Sequence, residues 1–171
     1  MPRTLGQAVG FLLGLWIALQ LSPFCVRVAA AGEEAPAEHP SLEDALHEAV
    51  NATRAEHDLI PLRRDPELDR VARAHASDMA RQGYLSHENR SGANPLDRLF
   101  RGGLQGFTLA AENVGRTNEA PPNHHILASW LASEVHRRNL LAAAFNATGL
   151  GIASAPGGAL VYAQVYVTYP R

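Results

Sequence analysis

The spacing of apolar residues changes along the chain from a helical period to a β-strand pattern, and this change limits the folds open to it. Apolar side chains recur at helical spacing from residue 41 to about residue 57 and again over residues 66–83. Residues 147–154 and 159–168 are instead rich in β-forming side chains, and the turn sequence Pro156-Gly157-Gly158 separates them. Helices followed by a small antiparallel sheet predict an α+β domain in stacked layers.

Short polar residues and prolines mark the expected helix boundaries. The expected N-caps are Ser41, Asp65, Asn94 and Asn123. In the second helix, Pro66 follows the cap and Gly83 ends the periodic stretch. The fourth helix either continues or restarts through residues 137–141. A short strand near residues 110–114 is expected to join the hairpin.

Residues 1–31 are predicted to be a secretory signal peptide. Arg3 precedes a run of 12 apolar residues at 8–19, shorter than the roughly 20 that a spanning helix needs. Ala29 and Ala31 then fit a cleavage site. An uncleaved signal anchor is the alternative, and it is the only membrane attachment expected. Residues 32–40 are predicted to be a flexible leader and 41–171 the domain, secreted or in the cell envelope.

The composition excludes several classes of function. The single cysteine, Cys25, lies in the segment expected to be removed, which leaves no disulfide, thiolate metal site or cysteine nucleophile. A formal net charge of -2 over 171 residues provides no basic surplus for nucleic acid. The sequence also lacks the HExxH motif of metalloproteases and the GxSxG motif of serine hydrolases. Any chemistry is therefore left to histidines and carboxylates.

Three ionisable residues lie in loops or at the ends of predicted elements: His87, Glu112 and His136. Two imidazoles and a carboxylate can hold Zn²⁺ with an open position, or can form a proton-transfer pair. Their wide separation in sequence matches no local metal motif. Three unrelated surface positions are the alternative interpretation.

A series of short motifs runs in order from residue 42 to residue 168. They are Leu46-His47-x-x-Val50-Asn51-x-x-Arg54, Leu68-x-x-Val71-Ala72-x-x-His75-Ala76, Tyr84-Leu85-Ser86-His87, Gly92-x-x-Pro95-x-x-Arg98, Ala111-Glu112-Asn113-Val114, Trp130-x-x-Ser133-x-x-His136-Arg137, Gly149-x-Gly151 and Ala163-Gln164-Val165-Tyr166. In this order they resemble the CAP superfamily of cysteine-rich secretory proteins, antigen 5 and pathogenesis-related 1, in its bacterial branch. The resemblance implies a three-layer α-β-α sandwich.

The resemblance also implies a cleft lined by two histidines and one or two acidic residues. Carried onto this chain, these are His87, Glu112 and His136, and Gln164 is expected to face the same cleft. Glu134 is a candidate for the second acid, with a solvated helix position as the alternative. A carboxylate beside two imidazoles favours their charged forms, so at least one of the two histidine pKa values is expected to rise.

The segment before the last histidine departs from the family pattern. Bacterial members usually carry Ser-Pro-Gly-His, whereas this chain has Ser133-Glu134-Val135-His136. The loss of proline and glycine removes a helix break, which would let the fourth helix run on.

Two further residues are expected to be structural. Trp130 shares an apolar helical face with Ile126, Leu127 and Leu131 and is expected in the core. His75 is expected to be a hydrogen-bonded structural residue.

Two classes of function follow from these residues. The first is a binding module whose cleft engages a lipid, a cell-wall fragment or another protein, with no cofactor required. The alternative is a metal-assisted hydrolase, in which His87 and His136 would hold a divalent metal such as zinc. The resemblance favours the binding module, because members of the superfamily share a site without sharing one established reaction.

Overall fold

A computed structural model of the chain describes residues 38–170. The elements in that range are α1 (Pro40–Ala55), β1 (Arg63–Arg64), α2 (Pro66–Gln82), α3 (Pro95–Arg101), β2 (Leu109–Thr117), α4 (Pro122–Ala132), α5 (Glu134–Leu140), β3 (Ala147–Ser154) and β4 (Leu160–Thr168). The sheet at the centre of the domain has its four strands in the order β1-β3-β4-β2. The predicted signal peptide and residues 32–37 of the predicted leader lie outside the described residues.

The predicted three-layer α-β-α arrangement is confirmed by two apolar clusters on opposite faces of the sheet. Because side chains alternate along a strand, each long strand supplies both clusters. In β4, Val161, Ala163 and Val165 pack with residues of α2 and α3. Tyr162 and Tyr166 pack instead with residues of α1, α4 and α5. The sheet is therefore covered on both sides.

The sheet is mixed, which corrects the expectation of a purely antiparallel one. β3 and β4 form the predicted hairpin, and β2 pairs antiparallel with β4 over its whole length. The two-residue strand β1 adds to β3 in parallel, with Arg63 opposite Ala147. A pair this short gave no periodic signal in the sequence.

Two glycines allow α2 to lie directly on the sheet. A Cβ on Gly149 would collide with the backbone of Leu68 and Asp69, and one on Gly151 with the backbone of Ala72 and Arg73. The motif Gly149-x-Gly151 thus places two glycines on the sheet face that meets the helix.

Helix boundaries follow the local signals in α2 and α3 but not in α1. Asp65 caps α2 and Gly83 ends it at φ 66°, as predicted. Helix α1 begins at Pro40 rather than after Ser41, and its N-cap His39 makes no capping side-chain bond. The His39 ring instead lies 2.8 Å from the Ser154 hydroxyl. Residues 38–40 are therefore joined to β3 and α1.

Carboxylates from two helices satisfy the backbone of β3 beyond the end of β1. Asp69 accepts the Leu150 N–H at 2.8 Å, and Glu43 accepts the Ile152 N–H at 3.2 Å. Both acids also form an ion pair with the same arginine, Arg64. The buried carboxylates thus accept the backbone N–H groups that a neighbouring strand would otherwise pair with.

No helix within residues 38–170 has the length and hydrophobicity needed to cross a membrane.

Candidate functional site

Glu112 is the centre of the candidate site. It lies in β2 opposite Val165, so its side chain faces the α2 layer, and that side chain is only 1% exposed. Arg98 Nη2 contacts Oε2 at 2.6 Å, and His87 Nδ1 contacts Oε1 at 3.0 Å. Both carboxylate oxygens are therefore occupied, as a buried charge requires.

Arg98 joins the carboxylate to the loop that carries His87. The Asn94–Asp97 capping box fixes the start of α3, which places Arg98 one turn into the helix. Its Nη1 donates to the carbonyls of His87 at 2.7 Å and Ala93 at 2.9 Å. One guanidinium thus sets both the position of the His87 backbone and the orientation of Glu112.

His75 packs beneath the same loop. Its Nε2 lies 2.9 Å from the Ser86 carbonyl, which can only accept, so Nε2 carries the proton. The same nitrogen lies 3.9 Å from Glu112 Oε1. The predicted hydrogen-bonded role of His75 is confirmed, and the structure adds its contact with the site.

His87 and His136 lie next to each other. Their ring centroids are 6.4 Å apart, and the His87 side chain is 48% exposed. Because His87 Nδ1 donates to the carboxylate, Nε2 is the nitrogen that can accept a hydrogen bond from outside. Within residues 38–170 no hydrogen bond joins the His136 ring to Glu112. His136 is therefore part of the site because its ring lies beside the His87 ring, and not because it bonds Glu112.

The pKa of His136 is lowered, first by burial and then by the positive charge that neighbouring His87 carries when it is protonated. Of the two histidines, His136 is therefore not the one whose pKa a carboxylate raises. Glu112 is paired with His87 and Arg98, and the ring beside His136 is another imidazole. Desolvation and a like charge both disfavour the protonated form.

Two asparagines hold the segment that carries His136. Asn113 Nδ2 donates to the His136 carbonyl at 3.0 Å. Asn139 Nδ2 donates to Asn113 Oδ1 at 3.0 Å and to the Glu112 carbonyl at 3.2 Å. The asparagine of the Ala-Glu-Asn motif therefore positions the second histidine, while the glutamate positions the first.

The fourth helix restarts instead of running on. Ser133 is extended, with φ -88° and ψ 121°, between α4 and α5. The Arg137 guanidinium donates to the Leu131 carbonyl at 3.0 Å, which satisfies the end of α4. The helix thus breaks without a proline or glycine, and the Arg137 side chain takes up a carbonyl that the break leaves without an intrahelical donor.

Two residues expected in the cleft lie elsewhere. Gln164 pairs with Asn113 in the sheet, so it faces the layer opposite to that of Glu112. It is fully buried and bonds Thr148 and Tyr166. Glu134 forms an exposed ion pair with Arg138. The assignments of Gln164 and Glu134 to the cleft are therefore wrong.

The donors at the site do not fit a catalytic zinc centre. Such a centre takes three protein ligands and an open position. Within residues 38–170, no three His, Cys, Asp or Glu side chains converge on a point that could hold a metal ion. The one carboxylate near the imidazoles is engaged by Arg98 and His87. Among the described residues, His87 and His136 would be the two protein ligands, one fewer than a catalytic zinc centre takes.

An apolar groove of about 340 Å³ lies beside the site. It is lined by Asn94, Pro95, Leu96, Phe107, Thr108, Leu109, Ala110 and Ala111. Leu96 and Leu109 are each close to half exposed. The groove reaches Ala111, the residue that precedes Glu112 in β2.

Two contacts of Glu112, with Arg98 and with His75, were not predicted from the sequence. A signal for Arg98 was present, because Asn94 and Asp97 are a recognisable capping box that fixes the helix on which it lies. No comparable signal existed for the contact between His75 and Glu112, since it depends on how α2 packs across β2.

We expect His75 to make the fold sensitive to acid. Burial lowers its folded pKa below the usual 6.5. The unfolded chain then binds more protons in the window between the lowered pKa and 6.5. The stability that neutral, buried His75 contributes is complete above about pH 6.5 and is lost as the pH falls from there towards the lowered pKa. The free energy of unfolding should drop less steeply below that pH in His75→Gln than in the wild type. His124→Gln, at an exposed position, is the control, and equal slopes in wild type and His75→Gln would refute the assignment.

Comparison with known proteins identifies relatives for most of the described domain. The model of the cysteine-rich secretory protein family, CAP, matches residues 47–168. The chain is 31% identical over 117 residues to the uncharacterized protein YkwD of Bacillus subtilis, covering 68% of this chain and 44% of that protein. It is also 31% identical over 110 residues to the uncharacterized membrane protein YlbC of the same species, covering 64% of this chain and 31% of that protein. The chain therefore spans less than half the length of these curated relatives.

Solved structures show the same fold. An extracellular protein containing an SCP domain from Bacillus anthracis is 31% identical with a TM-score of 0.66, over 75% of this chain and 41% of that one. An outer surface protein of Borrelia burgdorferi is 19% identical with a TM-score of 0.70, over 79% of this chain and 99% of that one. The second likeness shows the fold alone.

Proposed function

Because this chain belongs to the CAP family of cysteine-rich secretory proteins, we propose that it is an extracytoplasmic binding module rather than an enzyme. The observation that carries the proposal is the double engagement of Glu112 by Arg98 and His87. This contact fixes the orientation of an imidazole whose side chain is about half exposed. A preorganised and accessible imidazole is suited to recognise a polar group on a ligand.

His87 is the residue that would contact the polar group of the ligand. Its Nδ1 proton is donated to Glu112, which leaves the lone pair of Nε2 to accept from a ligand hydroxyl or amide. His136, with its ring centroid 6.4 Å from that of His87, would form the second wall of the same position. Glu112 and Arg98 act as positioning residues, because both carboxylate oxygens and both Nη atoms already contact the protein.

The neighbouring groove supports a ligand that is partly apolar. Leu96, Phe107 and Leu109 offer apolar surface that a bare polysaccharide would leave unused. Of the expected ligand classes, a lipid, an acylated cell-wall component or an apolar peptide segment would fill the groove and present a polar group to His87. We therefore propose an amphipathic ligand.

An extracytoplasmic location agrees with the predicted signal peptide. The relative in Bacillus anthracis is described as extracellular and the Borrelia protein as an outer surface protein. N-terminal sequencing of the exported chain should find a start near Gly32, whereas a start at Met1 would indicate the uncleaved anchor.

Metal-assisted hydrolysis is the weaker alternative, because only two imidazoles are available as ligands. Calorimetric titration of EDTA-treated protein with Zn²⁺ separates the two functions. Tight binding that His87→Ala abolishes, together with metal-dependent hydrolysis, would favour the hydrolase over the binding module.

The binding module is tested by the ligand load and by a fluorescent fatty acid as probe. Protein purified from its own culture supernatant should carry an amphipathic molecule detectable by mass spectrometry. Loss of the contact with His87 or of the groove surface should weaken probe binding about tenfold in His87→Ala and in Leu109→Asp. Ile60→Asp, also at a half-exposed apolar position, should bind like the wild type. Equal binding by all four proteins would contradict the proposed site.

A further inference from the structure

A second cavity, of about 240 Å³, lies between α2 and α3. It is lined by Arg70, Val71, Ala74, Asn89, Arg98, Arg101 and Gly102. None of these residues lines the apolar groove. Three guanidinium groups therefore border one cavity that no carboxylate lines, in a chain whose formal net charge is -2.

The three arginines differ in how far their charge is already compensated. Arg70 pairs with Glu67 at 2.9 Å, and Arg98 pairs with Glu112 at 2.6 Å. Arg101 is exposed and has no ion-pair or side-chain hydrogen-bond partner within residues 38–170. The excess positive charge of the cavity therefore comes from Arg101.

The cavity also contains donors that the protein does not use. The Arg98 side chain is nine-tenths buried, and its Nε has no hydrogen-bond partner in the described part of the chain. Asn89 Oδ1 accepts the N–H groups of Ser91 and Ala93, so its amide nitrogen is the end that remains for a ligand. Because the Arg98 Nε is itself closed to solvent, the donors that the cavity offers to a bound anion are the Arg101 guanidinium and the Asn89 amide nitrogen.

We propose that this cavity binds a phosphate group. Guanidinium forks match phosphate oxygens in pairs and bind them more strongly than neutral acceptors. The cavity is smaller than the roughly 300–1,000 Å³ of sites for drug-sized ligands, so it takes a compact head group and not a whole molecule. The phosphate belongs either to a soluble phosphate ester or to a phospholipid head group.

Occupation of the cavity would reach the His87 site through Arg98. The same guanidinium contacts Glu112 and the His87 carbonyl. An anion that draws the Arg98 guanidinium toward the cavity would therefore alter its hydrogen bonds to the Glu112 carboxylate and to the His87 carbonyl. The ring resonances of His87 should therefore shift on phosphate binding even though His87 does not line the cavity.

The test uses the full chain and compares Arg101→Glu with Arg116→Glu. Arg116 is exposed in β2 and lies outside the cavity, so the two variants make the same change in net charge. Inorganic phosphate is titrated at low ionic strength by calorimetry and by amide NMR, with chloride as the control anion. We expect Arg101→Glu to weaken phosphate binding about tenfold or more and Arg116→Glu to change it less than about twofold.

Vesicles of phosphatidylglycerol, with phosphatidylcholine as the neutral control, identify the source of the phosphate. Cosedimentation that Arg101→Glu abolishes and Arg116→Glu preserves assigns a lipid head group. Phosphate binding without cosedimentation assigns a soluble ester. Equal phosphate affinity in the three proteins overturns the proposal, as does the absence of amide shifts at Ala74, Asn89 and Gly102.

Discussion

Replacement of Trp130 by alanine is expected to lower the free energy of unfolding by about 3–5 kcal/mol. The side chain is 1% exposed, and its ring meets the Tyr162 ring edge-on at a centroid distance of 6.5 Å. Its Nε1 also donates to the Val114 carbonyl at 3.0 Å. The substitution therefore leaves a cavity between α4 and the sheet and removes the donor of a buried hydrogen bond.

Two further variants separate the packing of Trp130 from its hydrogen bond. Trp130→Phe retains most of the apolar volume and should cost about 1–3 kcal/mol, chiefly through the unpaired carbonyl. Val135→Ala, at a residue 60% exposed, is the surface control and should stay within about 0.5 kcal/mol. Urea denaturation followed by circular dichroism provides the measurement. A cost under about 1 kcal/mol for Trp130→Ala would show that this helix face does not pack as described.

Replacement of Glu43 by alanine is expected to cost about 3–5 kcal/mol, because it breaks a buried ion-pair network. Glu43 is fully buried and pairs with Arg64 at 3.1 Å and Arg73 at 2.5 Å. It also accepts the Ile152 N–H at the edge of β3. Its removal leaves two largely buried guanidinium groups short of counter-charge and one buried N–H without an acceptor.

The neighbouring acid provides a matched control. Asp44 also pairs with Arg64, at 3.2 Å, but its side chain is 76% exposed. Asp44→Ala should therefore cost less than about 1 kcal/mol. Glu43→Gln keeps an acceptor for Ile152 but loses the charge, so its cost should lie between those of the two alanine variants. If Glu43→Ala and Asp44→Ala were equally stable in urea denaturation, the network would not support β3.

Trp130→Ala and Glu43→Ala also test which residues hold the candidate site in place. Trp130 holds α4, which ends at the break before the helix of His136. Glu43 holds β3 from the opposite edge of the sheet. We therefore expect Trp130→Ala to disturb the His136 resonances in the folded protein, and Glu43→Ala to leave them unchanged, when both are compared by NMR.

Elements with local causes are predictable from the amino-acid sequence. The caps Asp65 and Gly83 set the ends of α2, and the turn at residues 156–158 predicted the hairpin. The spacing of Trp130 on its helix identified a core residue. Each of these signals acts over a few residues, so it can be read without knowledge of the fold.

Which side chains meet depends on how distant elements pack. Gln164 and Glu112 both lie in predicted strands, but the β2–β4 register places them on opposite faces. A shift of one residue would exchange those faces, and no local propensity specifies the register. The contact of Arg98 with Glu112 likewise depends on how two separate elements, α3 and β2, pack together. Propensity sets which elements form, whereas the burial of charges and the pairing of strands set where their side chains point.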